Sequence, residues 1–554
     1  MIPDTILNFP DMEVWKTWFM YDPKKPLLFN SELFLGLFSV FYIFYVLIRR
    51  QFRWRLLYVV IFSLFFYYKS SGLYFLLLVG TTILDYFLAR LIDREENPPR
   101  KKFYLIISII SNLGVLGYFK YTNFFIDSIN TLSGSEFHFK AIILPVGISF
   151  FTFQSISYII EIYRKEIKLA ETFLDYIFYI SFFPQLVAGP IVRAKDFLPQ
   201  IYSKIKLTKE EMNEAVLLII GGLIKKAVIS DYISVNFVDR VFDSPNAYSS
   251  MENLMATYGY ALQIYCDFSG YSDMAIGLAL LMGYRLPINF DVPYQSASIT
   301  EFWRRWHISL STWLKDFLYI SIGGNRNGSF GGYFFTALFF LGAIGWGISM
   351  WGKSQIPLFI AGGSLLLFLA TIVFVKKSRR ALFTNFNLMT TMLLGGLWHG
   401  ANLRFIVWGA LHGLALAFHK LMMHIFPKNE RTPNGLRKLW KVLAVIITFH
   451  FVCFCWIFFR ANSFSLAMDV INNITALSWQ PKNWWIMIQA YQNVFILIFI
   501  GFIWHFLPKK ILFSMQNFFY KMPLAGKAVL VGFVFWMVYA TAGSDTQSFI
   551  YFQF

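Results

Sequence analysis

The sequence predicts an all-α protein, a polytopic helical bundle integral to a membrane. Of its 554 residues, 57% are hydrophobic, only 14% are charged and 64 are phenylalanine, and a soluble protein of this length would need far more polar surface. Apolar runs of about 17–25 residues, the length a helix needs to cross a hydrocarbon core, recur along the chain. They are too long and too continuously apolar to be strands of a membrane barrel.

The first predicted spans are consistent with one orientation in the membrane. They lie near residues 31–48, 56–71, 73–92, 103–120 and 141–161. The basic residues of 49–55 place that loop in the cytoplasm and the N-terminus outside. Alternation then brings the basic clusters of 94–102 and 163–168 to the cytoplasmic side too, and leaves residues 121–140 outside.

The middle of the chain departs from the regular pattern. Residues 179–193, YISFFPQLVAGPIVR, contain two prolines and a glycine within apolar sequence. Such breaks are tolerated at membrane depth only where protein or a water-filled cavity satisfies the backbone, so we expect a re-entrant element. Residues 202–215 are polar and carry a helix-start signal at 208–211, which predicts an interfacial helix.

Two apolar runs, at about 332–350 and 357–375, predict an additional transmembrane hairpin with both ends in the cytoplasm. The later spans are expected near residues 384–397, 403–425, 442–459, 486–506 and 526–543. We find no strong internal repeat and no soluble domain. The predicted organisation is an extracytoplasmic or interfacial segment at 1–30 and a membrane domain at 31–554, which includes the hairpin at about 332–375.

The net charge of +18 reflects topology, because the basic residues cluster at the ends of the apolar segments. This distribution argues against nucleic-acid binding and allows attraction to anionic lipid. The three cysteines lie inside apolar runs without CxxC spacing, so no disulfide framework is implied.

His399 is the ionisable residue best placed for chemistry. It lies in LLGGLWHGAN at residues 393–402, where an imidazole at membrane depth would stay neutral and could accept a proton. Gly395, Gly396 and Gly400 remove bulk around it, as close approach of a substrate or a neighbouring helix would require. The alternative is a packing histidine bonded to a nearby carbonyl.

A second candidate region is EFWRRWHISLSTWLKDFLYISIGGNR at residues 301–326. Its alternation of aromatic and basic residues is typical of an interface helix. Arg304, Arg305 and Lys315 therefore either contact lipid headgroups or form a cationic mouth for an anionic, phosphate-bearing thioester. His307 either lies beside the reacting atoms or is simply interfacial.

Two carboxylates, Asp267 and Asp273, occur in the otherwise apolar YCDFSGYSDMAIG at 265–277. Six residues separate them, which rotates them about 120° apart on a helix, so they do not form an acid–base pair. Either could line a polar tunnel or bond a neighbouring helix. The spacing of His412, His419 and His424 does not suggest a metal site, and no nucleophile elbow or P-loop is present.

Seven stretches, taken in order, resemble the bacterial membrane-bound O-acyltransferases, and the alginate O-acetylation subgroup in particular. They are LPVGISFFTFQSISYIIEIYR, FFPQLVAGPIVR, YCDFSGYSDMAIGLALLMGY, NFDVPY, EFWRRWHISLSTWLKDFLYISIGGNR, LLGGLWHGAN and the terminal FIYFQF. The D-alanyl transfer protein of teichoic acid synthesis resembles the chain more distantly.

The resemblance implies a fold built around a through-membrane tunnel in the bacterial inner membrane. The expected reaction moves an acetyl group from a cytoplasmic thioester, acetyl-CoA or another acyl thioester, to a hydroxyl of an alginate-like cell-surface polysaccharide. The hydroxyl is reached directly or through an extracytoplasmic partner acyltransferase. No tightly bound cofactor, no metal and no nucleic acid are implied, and membrane lipid is the surrounding partner.

Residue by residue, the resemblance makes His399 the essential histidine and His307 the second polar residue of the active site. We expect His399 to act as general base on the attacking hydroxyl. His307 would hydrogen-bond the thioester carbonyl or the developing oxyanion. Candidate substrate contacts are Arg304, Arg305, Lys315, Asp267, Asn402 and Arg326.

Other functions fit parts of the same sequence. The acceptor could be a lipid, teichoic acid or peptidoglycan, with an acyl or D-alanyl group transferred. A transporter or lipid translocator would account for the broken segment at 179–193 and the buried carboxylates, although we find no inverted repeat. The hairpin leaves the topology downstream of it unchanged, and it either binds a partner or lipid or pads the bundle.

Overall fold

The computed structural model describes residues 17–23, 25–134, 136–137, 142–326, 329–349, 358–359, 362–366, 379–425, 434–476, 481–541 and 550. Within these ranges the regular secondary structure is helical, as the sequence predicts. Among the described residues, five helices are long and apolar enough to cross a membrane, and the count rises to six if the bent pair Trp484–Ala490 and Gln492–Phe506, at 89°, crosses as one span. The protein is a multi-pass integral membrane protein.

Along the chain, the helices occupy three consecutive stretches, residues 32–201, 209–319 and 330–541. The first comprises Glu32–Ile48, Phe52–Ser71, Phe75–Arg94, Pro98–Ser133, Ile148–Tyr163, Phe173–Ser181, Phe183–Leu186 and Ala194–Ile201. The second comprises Lys209–Leu223, Asp231–Ile233, Asp239–Asp243, Ser250–Leu281, Ile299–Arg305 and Ile308–Trp313, with π-helical turns at Ile224–Ser230, Ser234–Val238 and Leu314–Tyr319. The third comprises Phe330–Ser349, Arg379–His399, Leu403–Ile425, Asn434–Arg460, Phe464–Thr475, Pro481–Ala490, Gln492–Phe506, Lys509–Lys521 and Leu524–Thr541.

Ser250–Leu281 is the central helix, and most of its side chains are buried. It packs closely on Lys209–Leu223 because both helices place glycine at the contact. A Cβ added to Gly270 would lie 2.7 Å from the carbonyl oxygen of Gly222. Small residues at a membrane helix contact allow backbones to approach and gain van der Waals packing.

The helix-start signal at 208–211 is confirmed. Thr208 and Glu211 form a reciprocal capping box at the start of Lys209–Leu223. The helix extends beyond the predicted interfacial stretch, because its second half is apolar and packs into the core. The polar residues 202–215 therefore lead into a helix whose second half packs against the central helix.

The break at 179–193 also lies where the sequence indicates. Phe173–Ser181 is followed by the single turn Phe183–Leu186 and then by non-helical backbone, and nearly the whole stretch is buried. Side chains satisfy freed backbone groups there: the Phe183 N–H donates to Ser63 Oγ at 3.2 Å and the Ile191 N–H donates to Ser309 Oγ at 3.0 Å.

The predicted hairpin and N-terminal segment are only partly covered. Phe330–Ser349 matches the first run of the hairpin. Most of the second run, 357–375, lies outside the described residues, and its described pieces, 358–359 and 362–366, are helical. Residues 1–16 also lie outside, whereas Phe29 packs into the bundle with its ring centroid 4.5 Å from that of Tyr271.

Candidate active site

His399 is the last residue of the Arg379–His399 helix, and a short turn leads from it into Leu403–Ile425. The two helices pack closely because Gly396 and Gly400 face Phe405. A Cβ at Gly396 would collide with the Phe405 carbonyl oxygen, and one at Gly400 would collide with the Phe405 ring. The sequence left open whether these glycines make room for a substrate or for a neighbouring helix. In the structure they make room for the neighbouring helix.

A small, partly open cavity lies beside His399. Residues 144–150 at the start of Ile148–Tyr163 form one wall, and Lys120, Val187, Trp398 and His399 complete the lining. The cavity therefore combines an imidazole and an ammonium group in a largely apolar setting.

Lys120 holds the end of the His399 helix. Its Nζ donates to the carbonyl oxygen of Trp398 at 2.5 Å, and to the carbonyl oxygen of His399 and Ser149 Oγ at 3.4 Å each. The adjacent Tyr121 hydroxyl donates to the Leu397 carbonyl oxygen at 2.9 Å. A cation at a helix C-terminus satisfies the last carbonyls and complements the helix dipole.

His307 is completely buried and has φ +43°, a left-handed conformation that non-glycine residues adopt infrequently. Strain of this kind clusters at functional sites, where the surrounding structure must hold it. Here His307 Nδ1 lies 3.2 Å from Asn289 Oδ1, and the Ile308 N–H donates to the Asn289 carbonyl oxygen at 2.9 Å. The Phe268 ring meets the imidazole edge-on at 4.5 Å between centroids.

Trp398 brings the two predicted histidines into one site. The centroid of its rings lies 5.0 Å from that of His399 and 6.0 Å from that of His307. Trp398 is itself fixed in an apolar cluster in which the rings of Phe153 and Trp313 stack at 3.7 Å.

A third histidine, His412, lies on the other side of Trp408. The Trp408 ring centroid is 5.0 Å from that of His399 and 4.7 Å from that of His412. Trp303 Nε1 donates to His412 Nδ1 at 3.3 Å. His412 is buried, and through its contact with Trp408 it forms part of the aromatic surroundings of His399.

An ion-pair network supports the helix that follows His307. Arg193 donates through Nε to Glu161 at 2.8 Å and through Nη1 to Asp316 at 2.6 Å. Its guanidinium also lies 4.7 Å from the centroid of the Phe317 ring. The network joins the broken segment, the Ile148–Tyr163 helix and the π-helical turn Leu314–Tyr319.

The other predicted contacts lie in different settings. Arg304, Lys315, Arg326 and Asn402 are exposed, and Asn402 Oδ1 accepts the Arg404 N–H at 3.1 Å. Arg305 is half-buried and pairs with Glu301 at 2.7 Å.

Asp267 is nearly inaccessible, and its carboxylate is held by protein groups. Lys226 Nζ pairs with it at 2.6 Å, and the Ile550 N–H donates to it at 3.1 Å. Asp273 pairs with the neighbouring Lys225 at 2.6 Å. These contacts match the helix-bonding alternative that the sequence left open for the two carboxylates.

Sequence reasoning missed Lys120 and Asn289. Lys120 ends the apolar run predicted as the fourth span, so a lone cation at membrane depth was the available signal. Asn289 opens NFDVPY, which contributed to the resemblance without a role for the asparagine.

Comparisons with known proteins identify the family of the chain. Residues 164–394 match the membrane-bound O-acyltransferase family, MBOAT. The chain is 36% identical over 482 residues to the peptidoglycan O-acetyltransferase of Helicobacter pylori, covering 82% of this chain and 80% of that protein. It is also 36% identical over 447 residues to a protein of Pseudomonas aeruginosa named probable alginate O-acetylase AlgI, covering 80% and 73%.

A weaker similarity, 27% identity over 325 residues, relates 58% of the chain to 69% of the teichoic acid D-alanyltransferase of Bacillus subtilis. The alignments with the two relatives of higher identity cover most of this chain and most of each relative. The described helices also include membrane-spanning candidates, as such proteins require. The chain belongs to the membrane-bound O-acyltransferase family and is an O-acyltransferase.

Proposed function

We propose that this enzyme O-acetylates a carbohydrate polymer of the bacterial cell surface, using a cytoplasmic acyl thioester such as acetyl-CoA as donor. The observation that carries the proposal is the packing of His307 and His399 on the same indole, that of Trp398, together with the cavity that Trp398 and His399 line. The inner membrane is the location that gives access to both the donor and the acceptor. The hydroxyl is acetylated directly or through an extracytoplasmic partner acyltransferase.

The chemistry needs a proton acceptor close to the thioester carbonyl. The hydroxyl oxygen attacks the carbonyl carbon, a C–O bond forms and the C–S bond breaks. The hydroxyl proton moves to a neutral imidazole, assigned to His399, and then to the leaving sulfur. His307 is the second imidazole at the reacting atoms, and the aromatic surroundings keep the site dry.

The names of the relatives favour a carbohydrate acceptor. Peptidoglycan and alginate both offer sugar hydroxyls, and the two relatives are equally similar to this chain at 36% identity. D-alanyl transfer is less favoured, because that relative is 27% identical over a shorter stretch. We therefore place the reaction at a sugar hydroxyl, with peptidoglycan and an alginate-like polysaccharide as the two acceptors to compare.

Charge indicates which side of the protein each substrate approaches. The cavity lies at the end of the predicted fourth span, next to residues 121–140, which the basic clusters place outside. The acceptor thus reaches His399 from the extracytoplasmic side. The exposed cations Arg304, Lys315 and Arg326, with the half-buried Arg305, are candidates for attracting phosphate groups of the donor, and Asn402 remains a candidate contact.

The test compares O-acetylation in cells that lack the gene and carry wild-type protein, His399→Ala or His307→Ala. Ester-linked acetate is released by mild alkali from purified peptidoglycan and, separately, from secreted polysaccharide. His450→Ala serves as the matched control, because His450 is exposed on its helix. We expect both active-site variants to lose acetate in one fraction at equal membrane abundance; full acetylation in either variant would refute the proposal.

A further inference from the structure

The side-chain amide of Asn289 has a fixed orientation. The Ser309 N–H lies 3.2 Å from Asn289 Oδ1, and Asn289 Nδ2 donates to Ser272 Oγ at 3.3 Å. A backbone N–H can only donate, so the amide atom that faces it must be the oxygen. Exchanging the amide oxygen and nitrogen would bring two donors together.

The hydroxyl of Ser309 agrees with this orientation. Its oxygen accepts the Ile191 N–H at 3.0 Å, which leaves the hydroxyl proton to donate to Asn289 Oδ1 at 2.9 Å. Backbone from the broken segment therefore helps to orient a side chain next to His307. Asn289 is 1% exposed and Ser309 is 9% exposed, so these bonds form in the protein interior.

The orientation of Asn289 determines where His307 carries its proton. His307 Nδ1 lies 3.2 Å from Asn289 Oδ1, an atom that can only accept. Nδ1 must therefore be the donor in this hydrogen bond. In a neutral imidazole one nitrogen carries hydrogen and the other a lone pair, so the lone pair is at Nε2.

We infer that Asn289 is a positioning residue that holds His307 as the Nδ1–H tautomer, with a lone pair at Nε2 for the acyl-transfer site. The inference rests on the proposed function, in which His307 contacts the reacting atoms. A neutral His307 of this tautomer cannot donate from Nε2 to the carbonyl oxygen, which is the role expected from the sequence. It can accept the hydroxyl proton, and so it shares the base function assigned to His399.

The backbone at His307 supports the same reading. His307 has a left-handed φ, and the next residue, Ile308, donates its N–H to the Asn289 carbonyl oxygen. Asn289 thus binds the His307 segment through its backbone and its side chain. A partner that fixes tautomer and ring orientation is a general requirement for a histidine that moves protons.

The direct test is the tautomer of His307 in the purified full-length protein in lipid nanodiscs. ¹⁵N NMR of protein labelled on histidine distinguishes a nitrogen that carries hydrogen from one with a lone pair, and the signals lost in His307→Gln identify the ring. We expect hydrogen on Nδ1. Hydrogen on Nε2 in the neutral ring would overturn the inference, even if acetylation in cells requires His307.

Variants of Asn289 connect the tautomer with activity. Asn289→Leu removes the acceptor, and we expect the Nδ1–H preference to disappear and O-acetylation in cells to fall about 10–100-fold, by analogy with the loss of a partner that orients a metal-bound histidine. Asn289→Asp retains an acceptor and should keep the Nδ1–H signature. Asn253→Leu is the matched control, because Asn253 is also buried and binds the Pro245 carbonyl oxygen at 3.0 Å, and it should keep both the tautomer and acetylation.

An unchanged tautomer and unchanged acetylation in Asn289→Leu would contradict the inference. The proposed function fails in a different way, through full acetylation in His307→Ala, whatever tautomer the NMR spectrum shows.

Discussion

Removing the ammonium group of Lys120 should displace His399 without removing any atom of its side chain. Lys120→Met keeps the length of the side chain and abolishes donation to the Trp398 carbonyl oxygen, now at 2.5 Å, and to the His399 carbonyl oxygen at 3.4 Å. A hydrogen bond that involves a charged group contributes about 1.5–3 kcal/mol. If that energy holds the helix end in place, the productive orientation of His399 becomes about 10–100-fold rarer.

The assay measures ester-linked acetate in the acceptor polymer per unit of membrane-inserted protein, together with thermal unfolding in detergent. Lys69→Met is the matched control, because Lys69 also donates to two carbonyl oxygens, those of Thr17 at 2.8 Å and Met20 at 2.5 Å. Through these bonds Lys69 holds the N-terminal segment in place, far from the His399 helix in sequence. We expect similar losses of stability in both variants, and the loss of acetylation only in Lys120→Met.

Equal acetylation in the two lysine variants would refute the reasoning, because it would show that support of the helix end is not needed to position His399. Lys120→Arg refines the result. Arginine keeps a cation and replaces the single ammonium with a planar guanidinium group. This variant should therefore recover more of the stability than of the acetylation activity.

Two further variants test the packing and the buried charges. Gly396→Ala places a methyl group against a backbone carbonyl and should cost about 1–3 kcal/mol of stability and most of the acetylation. Gly117→Ala is the control and should be neutral, because Gly117 has open space around it. Equal effects of the two substitutions would contradict the packing account. Asp267→Asn removes a buried partner of a lysine and should lower the unfolding temperature more than Asp273→Asn, whose pair is about a quarter exposed. The opposite order would show that Asp267 is not a structural anchor.

Helix positions could be predicted because they depend on local sequence. Apolar length indicates where spans lie, and the Thr208–Glu211 capping box is complete within four residues. The broken segment could be located for the same reason, since proline and glycine act locally. The partners that satisfy its backbone could not, because Ser63 and Ser309 come from distant parts of the chain.

The candidate site could be predicted at the level of its two histidines and no further. His307 and His399 lie in separate stretches, and their meeting around Trp398 depends on how four or more helices pack. Lys120 approaches His399 from 279 positions away in sequence. Asn289 is only 18 positions from His307, yet the hydrogen bond that orients the ring depends on a strained backbone that the sequence does not reveal.

The two roles considered for Gly396 illustrate the limit. Sequence gave no reason to prefer substrate over helix as the occupant of the space beside it. The deciding contact, the carbonyl oxygen of Phe405, exists only once the two helices are packed. Tertiary packing therefore decides which group uses the space.

The central claim is that His307 and His399 form one catalytic unit, and double-mutant kinetics test it most directly. Rates of O-acetylation are measured for His307→Ala, His399→Ala and the double variant at equal membrane abundance. Residues that act as a unit show strongly non-additive losses. We predict that the double variant loses no more activity than the more damaged single variant; losses that multiply, or a single variant with full activity, would contradict the claim.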